Sequence, residues 1–220
     1  MDHPRIFFLK SDLKGIRRTG FEAKDLLAEK EMKLTYVGGK EITFALPPVE
    51  PGKIEEPPGF DHKAFGHYPY WTGMAGNIRG RMERLAFSFA STANPSYADV
   101  AVSYALSLAD WSIWTDLQYH PDGSTCLDTC SLAFGVSTVY DICYERMTPE
   151  QREKVRRGLV HLGLEPLYRD CVKAFVDDRA WMRAWNLPLY QHSALGIGAL
   201  AVMSDVPEND FSRWIGQAKE

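Results

Sequence analysis

The stretch FDHKAFGHYPYW at 60–71 gathers Phe65, His67, Tyr68, Tyr70 and Trp71. Tyr and Trp present flat faces that pack on the C–H faces of pyranose rings, so such a loop suits a sugar groove. It suits equally well a plug over one end of an apolar core. Asn77, Arg81 and Arg84 follow, on the polar side of a helical stretch. A guanidinium holds a carboxylate or sulfate through two parallel hydrogen bonds, which makes this face a candidate binder of acidic sugars. The alternative is a solvated helix face. Cys126 and Cys130 have the spacing of a zinc half-site, with His120 and Cys143 nearby in sequence. A structural zinc needs four ligands in one tight constellation. Two of these cysteines fall on an apolar helical face, which reads as buried free thiols with no metal. No GxSxG elbow, HExxH pair or P-loop occurs, and Gly196-x-Gly198 follows no strand, so it reads as packing.

These groups must be positioned by helices. Pro4 sets an extended start, after which Ser11 reads as an N-cap with Asp12 in the first turn, for a helix to about Glu31. KLTYVGGKEITFA at 33–45 predicts a β-hairpin turning at Gly38-Gly39. Pro47, Pro48, Pro51, Pro57 and Pro58 make 47–58 a stiff connector. From Met74 onward the apolar spacing is helical almost to the end. Ile78, Met82, Leu85 and Phe89 form one stripe, and Asn94-Pro95 ends it. Tyr97, Val100, Ala101, Tyr104, Leu108 and Trp111 form the next. After the loop YHPDGSTCL at 119–127, Asp128 reads as the cap of a third stripe, Leu132, Val136, Val139, Tyr140 and Cys143. Thr148-Pro149-Glu150-Gln151 has the form of a capping box with proline at the first helical position. Gly163 and Pro166 predict a break or kink. A small-residue helix spans about Leu187 to Ser204, and a short amphipathic segment, 209–218, follows. The expected fold is mainly α, in helical hairpins, with a small N-terminal β-hairpin.

Bulk properties narrow the partners. Of the 220 residues, 45% are hydrophobic and 25% charged, an ordinary balance for a globular chain with a sizeable core. A net charge of −4 argues against a general nucleic-acid binder, yet leaves room for a local basic patch on an acidic ligand. No apolar run approaches the roughly 20 residues of a membrane span. MDHPRIFFLKSD lacks a signal peptide, which reads as cytoplasmic, or as periplasmic or secreted if a leader was removed. Four cysteines are too few and too clustered for a disulfide scaffold. An oligomer is compatible with all of this.

Several stretches resemble heparinase II/III-like polysaccharide lyases. HPRIFFLKSDLKGIRR at 3–18 is similar to their opening, and the hairpin and Pro-rich connector follow in the same order. ERLAFSFASTANPSYADVAVSYALSLADW at 83–111 resembles paired helices of their α/α toroid. LDTCSLAFGVSTVYDICYERMTPEQREKVRRGL at 127–159 carries the strongest likeness, through its small-residue helix ending in Tyr-Asp and its Pro-Glu-Gln-Arg helix start. WNLPLYQHSALGIGALAV at 185–202 resembles the family's Trp-Asn segment. After Trp185-Asn186 the chain departs from the pattern, with additional residues and with Pro188 and His192 where the family has others. The resemblance implies an N-terminal extension at 1–59. It also implies an incomplete α/α toroid at 60–220, ending before the rest of the toroid and a C-terminal β domain.

What the resemblance implies for chemistry is β-elimination on an acidic, uronic-acid polysaccharide. The C5 proton beside a charged carboxylate is poorly acidic. An enzyme must therefore neutralise the carboxylate, remove the proton and protonate the leaving oxygen. Asn186, Tyr190 and His192 are the catalytic candidates; Asn186 and Tyr190, four apart, share a helix face. The alternative is that Asn186 caps the helix and His192 packs. Tyr68, Tyr70, Trp71, Asn77, Arg81 and Arg84 are the substrate-binding candidates, with no cofactor or metal in 1–220. On this reading further catalytic Tyr and His groups lie past Glu220, and 1–220 alone is inactive. Two other functions compete. Paired carboxylates at Asp177-Asp178 or Asp110/Asp116 suit an α/α-barrel glycoside hydrolase. A helical module that only binds carbohydrate or protein is the third.

Overall fold

The computed structural model describes residues 3–35, 41–50, 53, 70–176 and 186–220. The chain is mainly helical, with one two-stranded sheet among the described residues. Strands β1 (Glu31–Thr35) and β2 (Glu41–Ala45) pair antiparallel, with Met32 opposite Phe44 and Leu34 opposite Ile42. Both strands alternate exposed and buried residues, so these four side chains enter the apolar core. The predicted turn at Gly38-Gly39 lies outside the described residues.

The long helix expected from Ser11 to Glu31 is corrected to two single turns, α1 (Leu13–Ile16) and α2 (Asp25–Ala28). Ser11 caps nothing; it lies inside a short 3-10 turn, Lys10–Asp12, where the Asp12 carboxylate accepts from the Leu9 amide at 2.9 Å. Thr19 Oγ1 donates to the Ile16 carbonyl at 2.8 Å, and Gly20 follows with φ +63°. That left-handed glycine turns the chain out of helical geometry. Neither fragment is long enough to be helical without tertiary support.

The remaining helices are α3 (Tyr70–Thr92), α4 (Pro95–Ala109), α5 (Leu127–Ile142), α6 (Pro149–Gly158), α7 (Glu165–Val176), α8 (Asn186–Val202) and α9 (Glu208–Ala218). Asn94 caps α4 by accepting from the Ser96 amide at 3.1 Å. Asp128 does not cap α5: Cys126 is the N-cap, and Asp128 sits buried in the first turn. Its carboxylate accepts from the Asp116 and Thr129 amides at 2.9 Å each, tying the preceding loop to the helix start. Burial pushes this carboxyl above its usual range.

Thr148 accepts from the Gln151 amide at 3.3 Å while Gln151 Oε1 accepts from the Thr148 amide at 2.9 Å, a complete capping box. Thr148→Ala is expected to cost about 1 kcal/mol, since that amide loses its partner. An unchanged midpoint in chemical denaturation would refute the cap. Between α6 and α7 the helix does not break at Gly163 and Pro166. It passes through one π turn, Leu159–Leu164, in which the Glu165 amide reaches the Val160 carbonyl. Pro166 has no amide to continue the ladder, and the wider turn absorbs that gap.

The helices stack in two rows. α3, α5 and α8 pack side by side; α4, the α6–α7 rod and α9 form the second row behind them. α5 is the hub, buried at every position from Asp128 to Ile142. Such a helix needs small residues wherever a neighbour's backbone comes close. A Cβ on Gly135 would lie 3.2 Å from Arg79 Cα, and one on Gly198 would lie 2.4 Å from Leu164 Cδ2. The glycines of 196–198 thus serve packing. No helix among the described residues is long and apolar enough to cross a membrane.

The N-terminal segment is fastened across the far end of this stack. Asp141, fully buried near the end of α5, accepts from the Arg5 amide (3.0 Å to Oδ1 and 3.1 Å to Oδ2), from the Ile6 amide at 3.0 Å, and from His3 Nδ1 at 2.8 Å. The His3 ring stacks on Tyr144 with centroids 3.9 Å apart, and Arg5 donates to the Ala201 carbonyl and Ser204 Oγ at the end of α8. Farther on, buried Glu50 accepts from the Ser112 amide at 3.0 Å, docking the Pro-rich connector on the loop after α4. Burial alone would raise the Glu50 carboxyl. The Ser112 hydrogen bonds and nearby Lys53 outweigh it and hold the group below its ordinary range.

Candidate functional site

Tyr190 stands where three helices meet. It projects from the first turns of α8 toward Arg79 of α3 and Ser131 of α5. Arg79 Nη1 donates to the Tyr190 phenol oxygen, and Ser131 Oγ lies 3.5 Å from that oxygen. The guanidinium lies over the Phe134 ring, 4.4 Å from its centroid, and the Phe134 and Tyr190 rings are 5.2 Å apart. Arg79 Nε donates to Glu83 Oε1 at 2.6 Å, one turn along α3. Asn186, exposed at the first position of α8, lies one turn before Tyr190 on the same face. The local cause is sequence: α8 begins directly at Asn186, and the small residues that follow let it seat closely on α5 and the π turn.

His192 does not join this group. Two residues past Tyr190, its Nδ1–H donates to the Pro188 carbonyl one turn back on α8 at 2.7 Å, and Nδ1 lies 3.7 Å from Cys171 Sγ of α7. Its Nε2 is buried with no hydrogen-bond partner among the described residues. Gln191, between them, is buried and donates to Thr125 Oγ1 at 2.8 Å and to the Thr125 carbonyl, fixing α8 to the loop before α5.

The predicted binding residues divide. Phe65, His67 and Tyr68 lie outside the described residues, and Tyr70 opens α3. Trp71 is 7% exposed and packs edge-on against Trp111, with ring centroids 5.9 Å apart. Little of its ring is open to a ligand in this arrangement. Arg81 is largely buried, its side chain 17% exposed, and ion-paired with Glu29. It also contacts Tyr104. Arg84 pairs with Asp25 at 3.1 Å on the surface. Asn77 is exposed and donates to the Gly73 carbonyl at 3.0 Å.

The sequence reading missed Arg79, Glu83 and Ser131. Arg79 follows Ile78 of the apolar stripe, at the border where an arginine reads as solvated. Its side chain is held there by contacts with Glu83, Phe134 and Tyr190, the last two on helices remote in sequence.

The remaining candidate chemistry finds little support in the geometry. Cys130, Cys143 and Cys171 are buried free thiols, and Cys126 is a partly buried one. Burial pushes all four up, Cys126 to about 11 and Cys171 to about 12, so none is a ready thiolate. Among the described residues no group of three or more His, Cys, Asp or Glu is placed to hold a metal ion. Asp110 is on the surface, bound to Lys154 at 2.6 Å, whereas Asp116 is buried and accepts from the Gln118 amide; the two share no environment. Asp177-Asp178 lies outside the described residues. Comparison with protein-family models finds no match to this chain, and comparison with curated proteins finds none.

Proposed function

We propose that this chain is the helical, substrate-cradling part of a polysaccharide lyase acting by β-elimination on uronic-acid polysaccharide of the heparin, heparan sulfate or alginate type. The observation that carries the reading is the pairing of Asn186 and Tyr190 on the face of α8 that meets Arg79 and Ser131. The ordered resemblance along the chain supports it. So does the two-row stacking of successive helices, which suits an incomplete α/α toroid.

In this reading the Asn186 carboxamide donates to the uronate carboxylate and draws charge from it, which makes the C5 proton easier to remove. A base takes that proton, and the C5–H electron pair becomes the C4–C5 double bond. The C4–O bond breaks, and the departing oxygen takes the Tyr190 hydroxyl proton. The resemblance assigns the base to Tyr or His groups of the longer protein. His192 packs, and Tyr68, Tyr70 and Asn77 remain the contacts proposed along the sugar chain.

Calorimetric titration tests this. The chain is expected to bind uronate oligomers more tightly than neutral glucan oligomers. Tyr190→Phe, which removes one hydrogen bond to a charged ligand, should weaken the uronate complex about tenfold, or about 1.4 kcal/mol. Equal affinity for neutral and acidic oligomers, or no binding of either, would sink the proposal. A near-ultraviolet absorbing product from the longer protein separates the lyase from a glycoside hydrolase, which yields only a reducing end.

A further inference from the structure

We propose that Arg79 is the positioning residue of this site, acting on a ligand only through Tyr190; this rests on Tyr190 being the group that meets the sugar. An arginine side chain has donors and no acceptor. Wherever its Nη1 touches the phenol, the phenol oxygen must accept. The hydroxyl hydrogen of Tyr190 is therefore turned away from Arg79, toward Ser131 Oγ or a ligand oxygen. Tyr190 becomes a donor of fixed direction, which suits a leaving glycosidic oxygen or a uronate carboxylate and does not suit a ligand N–H or ammonium.

Three contacts hold the guanidinium in this pose. Glu83 holds Nε at 2.6 Å, Phe134 lies against one face at 4.4 Å, and Tyr190 takes Nη1. Its backbone is fixed as well, because α5 comes so close at Gly135 that a Cβ there would sit 3.2 Å from Arg79 Cα. A planar fork can serve Glu83 and Tyr190 together; a lysine ammonium is one point charge and holds them less well.

The test combines a double-mutant cycle with a spectroscopic readout on the whole chain. The ring-carbon NMR signal of Tyr190 Cζ, identified by its loss in Tyr190→Phe, reports the hydrogen bond at the phenol oxygen without any ligand. Arg79→Met should move that signal and weaken uronate-oligomer binding about tenfold, while costing nothing further in the Tyr190→Phe background. Arg79→Lys should recover part of both effects. Glu83→Gln, which leaves the arginine in place, should shift both in the same direction by less and guards against a folding defect in Arg79→Met. An unmoved Cζ signal overturns the proposal, as does an additive loss of affinity in the double variant, which would mean that Arg79 touches the ligand directly. If the wild-type chain binds no uronate oligomer, the function assigned above fails, and the Cζ signal still decides whether Arg79 positions Tyr190.

Discussion

Asp141→Ala is expected to cost about 3–5 kcal/mol, the range for removing one partner of a buried charged cluster. The carboxylate is fully buried and answers the Arg5 amide, the Ile6 amide and His3 Nδ1. Taking it away leaves two backbone donors and an imidazole facing apolar surroundings, each carrying its own desolvation penalty. The N-terminal segment can lower that cost only by detaching. Detachment would uncover Tyr144, on which His3 stacks, and would release Arg5 from the end of α8. Denaturant unfolding should show the lower midpoint, and limited proteolysis should cut within residues 3–9 far sooner than in wild type. Asp141→Asn retains one acceptor oxygen but turns an amide N–H₂ toward donors, so it should fall between the two. A midpoint for Asp141→Ala within a few tenths of a kcal/mol of wild type would mean that the segment is held by other contacts.

Gly158→Ala should destabilise the chain by about 1–3 kcal/mol even though alanine is the better helix former by roughly 1 kcal/mol. Gly158 is the point where α6 meets the end of α4. A Cβ there would lie 2.6 Å from Ala109 Cβ and 2.8 Å from Ala109 Cα. The second of these is main chain, so no rotamer change relieves it and the two helices must separate. Gly76 provides the comparison within the same molecule. It is exposed in α3, and a methyl group added there would meet nothing within 4 Å, so Gly76→Ala should stabilise by about 0.5–1 kcal/mol. Opposite signs for the two substitutions, read from their unfolding midpoints, would show that contact rather than propensity decides at Gly158. A stabilising Gly158→Ala would show that the rows are not packed this tightly.

Elements whose causes are local were legible in the residue order. The capping box at Thr148, the helix break at Asn94-Pro95, and the pair of strands within the hairpin region each depend on neighbours a few residues away. So does the shared face of Asn186 and Tyr190, which follows from helical pitch alone. The run after Ser11 misled because it was read from Ser11 as a cap and Asp12 in the first turn, and neither reveals the left-handed backbone at Gly20.

Which polar groups meet was settled by the packing of helices remote in sequence. Arg79 and Tyr190 are 111 positions apart, and their contact exists because glycine at 135 lets α3 lie against α5. Arg81, two residues on from Arg79, points another way and is taken by Glu29, so neighbouring arginines on one helix have opposite fates. Trp71 reads as a stacking face until Trp111 is found against it. Residue type names the interactions a side chain is able to make. Which of them forms depends on which backbones approach closely enough to bury it, and that is set by contacts distant in sequence.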